Sequence, residues 1–249
     1  MSLASLRDGL QLAICPSING GGGIVPDLSG RNNHASTNNM DASGYASGLN
    51  GLAFRFDGVN DFVGVFESSF ANFGSAAFTV SIWLRAAPFA APTALFSKDD
   101  WDSGSTGLLI YTNEPNLVYY FSSSGANSFG AICDNTWHHI AIARASTSAN
   151  ATRLFLDGRL LKTITDTRNY TNTRRLRLGN DDDGNRPWPG LLDDARISNR
   201  QLTDYEIQTL AIEPGIGLRP ERTSVFFGAQ LFQPAWLAQS RNIIGGGVC

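Results

Sequence analysis

The chain is poor in cysteine and histidine, has little net charge and no long apolar run, and each shortage excludes a class of protein. Its three cysteines, Cys15, Cys133 and Cys249, are odd in number and widely spaced. That argues against a disulfide framework and a zinc site, and favours free thiols. Three histidines are too few to assemble a convincing serine triad. No apolar stretch approaches the roughly 20 residues of a spanning helix. Residues 1–12 lack the continuous apolar segment of a signal peptide. No membrane partner is therefore expected. A net charge of −3 makes a nucleic-acid polyanion an unexpected partner as well.

What is present is turn-rich β sequence. A length of 249 residues holds one large β domain or two small ones, and 26 glycines suit frequent turns. The most informative stretch is residues 135–160. Trp137, His139 and Ala141 alternate with His138, Ile140 and Ile142, as in a half-buried strand. A polar loop over 145–151 leads to Leu154 and Leu156. Asp157-Gly158 then marks a two-residue hairpin turn, since Gly tolerates positive φ. Phe78, Val80, Ile82 and Leu84 also share one face of a strand. Further strands are expected at 9–14, 52–56, 94–97, 107–111, 116–122, 176–179 and 190–197. Short strands at this spacing indicate an all-β antiparallel sandwich.

The one convincing helix spans residues 202–211, with Thr203 and Glu206 forming a capping box. Residues 214–249 differ in kind. Phe226, Phe227, Leu231, Phe232 and Trp236 are apolar, but prolines and glycines interrupt them. We expect two parts: a sandwich over 1–213 and an extended apolar C-terminal interaction arm over 214–249. An apolar segment without a core of its own buries itself on the sandwich or on another chain.

Several motifs together resemble the laminin-G-like, concanavalin A-type jelly-roll family. They are Asp27-Leu28-Ser29-Gly30, Phe56-Asp57-Gly58 with Asp61-Phe62-Val63, residues 78–83, Thr136-Trp137-His138-His139-Ile140, Leu156-Asp157-Gly158, and residues 190–197 followed by Leu202-Thr203. The resemblance covers residues 9 to about 211. It implies a jelly roll of two packed sheets, a common lectin architecture. It does not fix function, because members bind glycans, bind proteins or build larger assemblies.

In pentraxins, similar in fold, an acidic loop after the equivalent Leu-Gly carries calcium. Here that loop offers Asn180, Asp181, Asp183 and Asn185 as oxygen donors, and calcium takes about six to eight of them. The second part of the pentraxin site, an Asp-Asn pair, is replaced by Ser105-Thr106. Asp99, Asp100 and Asp102 are the acidic residues placed to substitute. The alternative reading is a solvated acidic turn.

Catalysis ranks low. Glycosidases of this fold carry a Glu-x-Asp-x-Glu type strand, and none of Glu67, Glu114, Glu206, Glu213 and Glu221 lies in such a pattern. Asp193 and Asp194 are adjacent, so a regular strand points them to opposite faces. The same geometry prevents His138 and His139 from chelating one ion. Trp101 and Trp188 lie in loops, with Asp102 beside the first, and are the expected ligand-binding residues; Trp83 and Trp137 read as core. We expect a non-catalytic module, assembled in the cytoplasm and anchored by its arm within a homo-oligomer, scaffold or virion surface, as a decoration or adhesion protein. A calcium-dependent glycan-binding module is the alternative, and a glycosidase ranks last.

Overall fold

The computed structural model describes residues 4–19, 22–66, 68–89, 92–99 and 107–218. All of them belong to one compact unit, Met1–Arg219. The expected arm residues Phe226, Phe227, Leu231, Phe232 and Trp236 lie outside them, as do Trp101 and Asp102.

The elements run α1 (Ala4–Arg7), β1 (Leu10–Ile14), α2 (Pro16–Asn19), β2 (Ile24–Val25), β3 (Ala35–Asn38), β4 (Tyr45–Ser47), β5 (Leu52–Asp57) and β6 (Phe62–Val65). Then follow β7 (Phe78–Arg85), β8 (Thr93–Lys98), β9 (Leu108–Glu114), β10 (Leu117–Ser122), β11 (Gly125–Ala131) and β12 (His138–Arg144). The last are β13 (Thr152–Leu156), β14 (Arg159–Ile164), β15 (Arg177–Leu178), β16 (Pro189–Ser198) and α3 (Asp204–Ile212). Two antiparallel sheets result. Sheet 1 has the order β14-β13-β12-β7-β16-β5-β4, with β1 also paired to β16. Sheet 2 has the order β11-β10-β9-β8-β15-β6-β3-β2.

The alternation in the sequence decides what enters the core. Phe78, Val80, Ile82 and Leu84 of β7 join Ile140 and Ile142 of β12 and Leu154 of β13 in the main cluster. They meet Val63, Phe96, Ile110, Val118, Tyr120 and Leu178 from sheet 2. The opposite face of sheet 1 is also covered. Ala141, Ala143 and Phe155 pack there under Leu6, Leu202, Ile207 and Leu210. Trp83 lies on this outer face, not between the sheets, and its indole N–H donates to the Leu210 carbonyl at 3.3 Å. The hairpin turn is as expected: Asp157 and Gly158 both have positive φ, 50° and 75°. The β11 strand is an addition to the sequence reading.

Two buried polar networks stand inside the sandwich. Arg144, fully buried, donates to the carbonyls of Gly74, Ala76 and Arg168. Its guanidinium lies 4.8 Å from the ring centroids of both Phe78 and Tyr170. The Tyr120 and Tyr170 hydroxyls meet each other and the Asp166 carboxylate. Burial drives both phenols well above their ordinary pKa.

Helix α3 begins with the expected capping box. The Thr203 hydroxyl accepts from the Glu206 N–H at 3.3 Å, and the Glu206 carboxylate accepts from the Thr203 N–H at 2.8 Å. Arg200 pairs with the same carboxylate at 2.7 Å. Thr203→Ala should lower the unfolding free energy by about 1 kcal/mol, measured by urea denaturation. No change would mean that Arg200 alone holds the helix start.

Candidate functional site

Three regions concentrate chemistry: the outward face of sheet 2, the acidic loop at its rim, and a buried carboxylate cluster on sheet 1.

The first follows from strand register. Tyr119 of β10 lies opposite Tyr111 of β9, which lies opposite Ala94 of β8. In the next outward row Phe121 faces Leu109, Leu109 faces Ser97, and Ser97 faces Arg177 of β15. Because Val118, Tyr120 and Ile110 point inward, these residues point out. They form a separate apolar cluster, with Ala94, Leu109 and Tyr111 as its floor and Tyr119 and Phe121 half-buried above. The Tyr111 and Tyr119 rings stack at 5.6 Å, and the Tyr111 and Phe121 rings meet edge-on at 6.2 Å. The Arg168 guanidinium lies 4.3 Å from the centre of Phe121. The Tyr119 hydroxyl reaches the Glu114 carboxylate at 3.4 Å. Aromatic faces with polar groups at their edges suit a ligand that is apolar on one side and polar on the other. The sequence carried a signal: in the run Val118, Tyr119, Tyr120 and Phe121, apolar residues occupy the outward strand face as well as the inward one.

The acidic loop is positioned by Gly179. Its φ is +84°, and a Cβ there would come within 2.3 Å of the Phe56 ring, so only glycine fits. The Asn180 side-chain oxygen accepts from the N–H groups of Asp181 and Arg186, each at 3.0 Å. Asp181 accepts from the Asn185 N–H at 2.8 Å through its carboxylate, and from Arg177 at 2.8 Å through its carbonyl. Asn180 and Asp181 are buried, and burial raises the Asp181 pKa. Asp183 and Asn185 are exposed. Asp182 meets Arg175 at 3.1 Å, Arg177 at 3.4 Å and Arg174 at 3.8 Å. Asp183 meets Arg174 at 3.8 Å. Among the described residues, no group of three or more His, Cys, Asp or Glu side chains is placed to hold a metal ion.

Trp188, at the end of this loop, is a correction. It is fully exposed to no solvent at all, 0%, and belongs to the main core. Its backbone N–H bonds back to the Gly179 carbonyl at 2.9 Å, which closes the loop, and the ring lies inward against Phe89 at 5.4 Å. It offers no stacking surface to a ligand.

A second correction concerns Asp193 and Asp194. A bulge between Asp193 and Arg196 interrupts β16, with Asp194 at φ 44°. The extra residue cancels the alternation: Leu192 and Ala195 point into the main core, while both carboxylates are buried elsewhere. Asp193 accepts from Ser17 at 2.6 Å and from the Cys15 thiol at 3.6 Å. Asp194 pairs with Arg196 at 2.7 Å and accepts from the Gly215 N–H at 2.7 Å. Arg196 donates onward to the Ile216 carbonyl at 2.8 Å, and Leu218 is buried beside Leu10, Ala13 and Cys15. Residues 214–218, expected to begin the arm, are thus part of the sandwich. Burial lifts the Cys15 thiol far above its usual pKa and the Cys133 thiol to about 12. Both are free, and neither is a ready nucleophile.

His139 is buried against Trp83, and burial lowers its pKa to about 4. His138 points the other way, to Asp157 at 2.9 Å and Asp134 at 3.4 Å. The two imidazoles diverge, as expected.

Residues 36–208 match a laminin-G family described as the concanavalin A-like lectin/glucanases superfamily. The chain belongs to this superfamily. No curated protein matches the sequence. Among solved structures, the binding domain of Paraclostridial Mosquitocidal Protein 1 is 18% identical with a TM-score of 0.61. That match covers 83% of this chain and 52% of the other, so the chain spans about half of it. Domain 4 of AbnA, an extracellular GH43 arabinanase of Geobacillus stearothermophilus, in complex with arabinotriose, is 18% identical with a TM-score of 0.59. There the match covers 81% of this chain and 98% of the other. Trypanosoma rangeli sialidase in complex with sialic acid is 17% identical with a TM-score of 0.59, over 82% of this chain and 32% of the other. At such identities the likeness is one of fold.

The Asp193 carboxyl has its pKa raised by burial from 3.8 to about 6. Its folded value lies above its unfolded one, so its stabilising contribution is complete below 3.8 and is lost as pH rises through about 6. His139 acts in the opposite sense: its contribution is complete above 6.5 and is lost as pH falls through about 4. Asp193→Asn should therefore gain stability relative to wild type as pH rises across this window. Urea denaturation at several pH values checks this; parallel curves for the two proteins would refute the buried protonated carboxyl.

Proposed function

We propose that this chain is a non-catalytic carbohydrate-binding module whose ligand face is the outward side of sheet 2. The observation that carries the reading is the aromatic cluster of Tyr111, Tyr119 and Phe121 on that face. A pyranose or furanose ring has an apolar C–H face that stacks on such rings, and hydroxyls that hydrogen-bond at their edges. Glu114 and Arg168 stand at those edges. The likeness in fold to an arabinanase domain solved with arabinotriose supports the same class of ligand.

A non-enzymatic role agrees with the disposition of the carboxylates. Glycoside hydrolysis needs two carboxyls flanking an accessible bond, about 5–10 Å apart. Asp193 is buried against Ser17 and Cys15, Asp194 is buried against Arg196 and Gly215, and Glu206 is buried in the capping box with Arg200. Assembly within a virion or scaffold is the second reading. It is favoured by the apolar sequence over 225–237, and light scattering of the full chain beside one stopped after Leu218 tests it.

Titration calorimetry with arabinotriose, sialic acid and neutral hexose oligosaccharides tests the first reading. Tyr119→Ala together with Phe121→Ala should weaken binding at least about tenfold, or about 1.4 kcal/mol, with the melting temperature little changed. Unaltered affinity in that variant, or no binding to any sugar of the panel, would sink the proposal.

A further inference from the structure

The resemblance to pentraxins implies calcium at the loop 180–185, and the donor set found there does not suit it. Calcium needs about six to eight oxygens free to turn toward one point. Here the Asn180 side-chain oxygen is held by two N–H groups. The Asp181 carboxylate and carbonyl face Asn185 and Arg177 respectively. Asp182, the middle carboxylate, already has three guanidinium groups within 4 Å, those of Arg174, Arg175 and Arg177. Arg174 also reaches Asp183. A divalent cation entering this loop would meet positive charge where it needs ligands.

We propose that arginine takes the place of calcium at this rim, so that the loop is closed by ion pairs and the protein is indifferent to calcium. Arg177 is central to the arrangement. It comes from β15, in the middle of sheet 2, and packs 4.2 Å over the Phe62 ring. Its two terminal guanidinium nitrogens reach the Asp181 carbonyl and the Asp182 carboxylate. It therefore ties the loop to the sheet, a part that a bound ion would otherwise play. Arg177 also stands in the outward row with Leu109 and Phe121. Its bearing on ligand recognition rests on the proposed carbohydrate-binding face; the ion-pair closure itself does not.

Thermal unfolding of the intact chain, in millimolar calcium and in excess EDTA, tests the proposal without any sugar. The wild type should melt at the same temperature in both. Asp182→Asn should melt several degrees lower in both, and Asp183→Asn should change little. A wild-type melting temperature raised by calcium, with the rise absent in Asp181→Asn/Asp183→Asn, would overturn the proposal. So would an Asp182→Asn variant as stable as wild type. Absence of sugar binding would refute the proposed function and leave this result standing.

Discussion

Carboxylates that accept backbone N–H groups hold the loops of this sandwich in place. Asp27 accepts from Ala13 and Ser29 through one oxygen, and from Asn33 through the other. Asp61 accepts from Asp57, Asp157 from His139, and Asp166 from Ser123 and Arg168. Asp181 does the same for Asn185. A hydrogen bond to a charged group is worth about 1.5–3 kcal/mol, and its loss leaves a donor unpaired that is buried at Ala13 and partly buried at the others. The aspartates of the recurrent Asp-Gly and Asp-Leu-Ser-Gly motifs thus have a mechanical role. They fix where loops leave the strands.

The two outward faces have different fates. That of sheet 1 is covered by α1, α3 and residues 213–218, and a buried ion pair between Asp194 and Arg196 fastens the last of these. That of sheet 2 carries half-buried aromatic rings in its place. One sheet is used to complete the fold, and the other keeps rings at its surface. The bulge in β16 serves this division. It puts Asp193 and Asp194 outside the main core, where Ser17 and Arg196 satisfy them.

Much of the fold was legible because its period is regular. The faces of β7 and β12, the Asp157-Gly158 turn and the capping box at Thr203 follow from local chemistry. β11 was not legible, because Gly125–Ala131 lacks the β-branched residues that mark a strand; it forms by pairing with β10. The bulge at Asp194 is invisible to a rule of strict alternation, which therefore misplaced one carboxylate. Trp188 looked exposed because it lies in a loop, yet the loop turns back on itself and buries the ring. For the acidic loop, the sequence showed its carboxylates plainly. The guanidiniums facing them come from residues 174–177, before the loop, and only the fold brings the two sets together.

The most direct test of the account is a backbone NMR titration of the intact chain with a bound oligosaccharide, in EDTA. The account predicts shifts concentrated in β9 and β10, around Tyr111, Tyr119 and Phe121. Shifts confined to residues 180–186, or appearing only once calcium is restored, would contradict it.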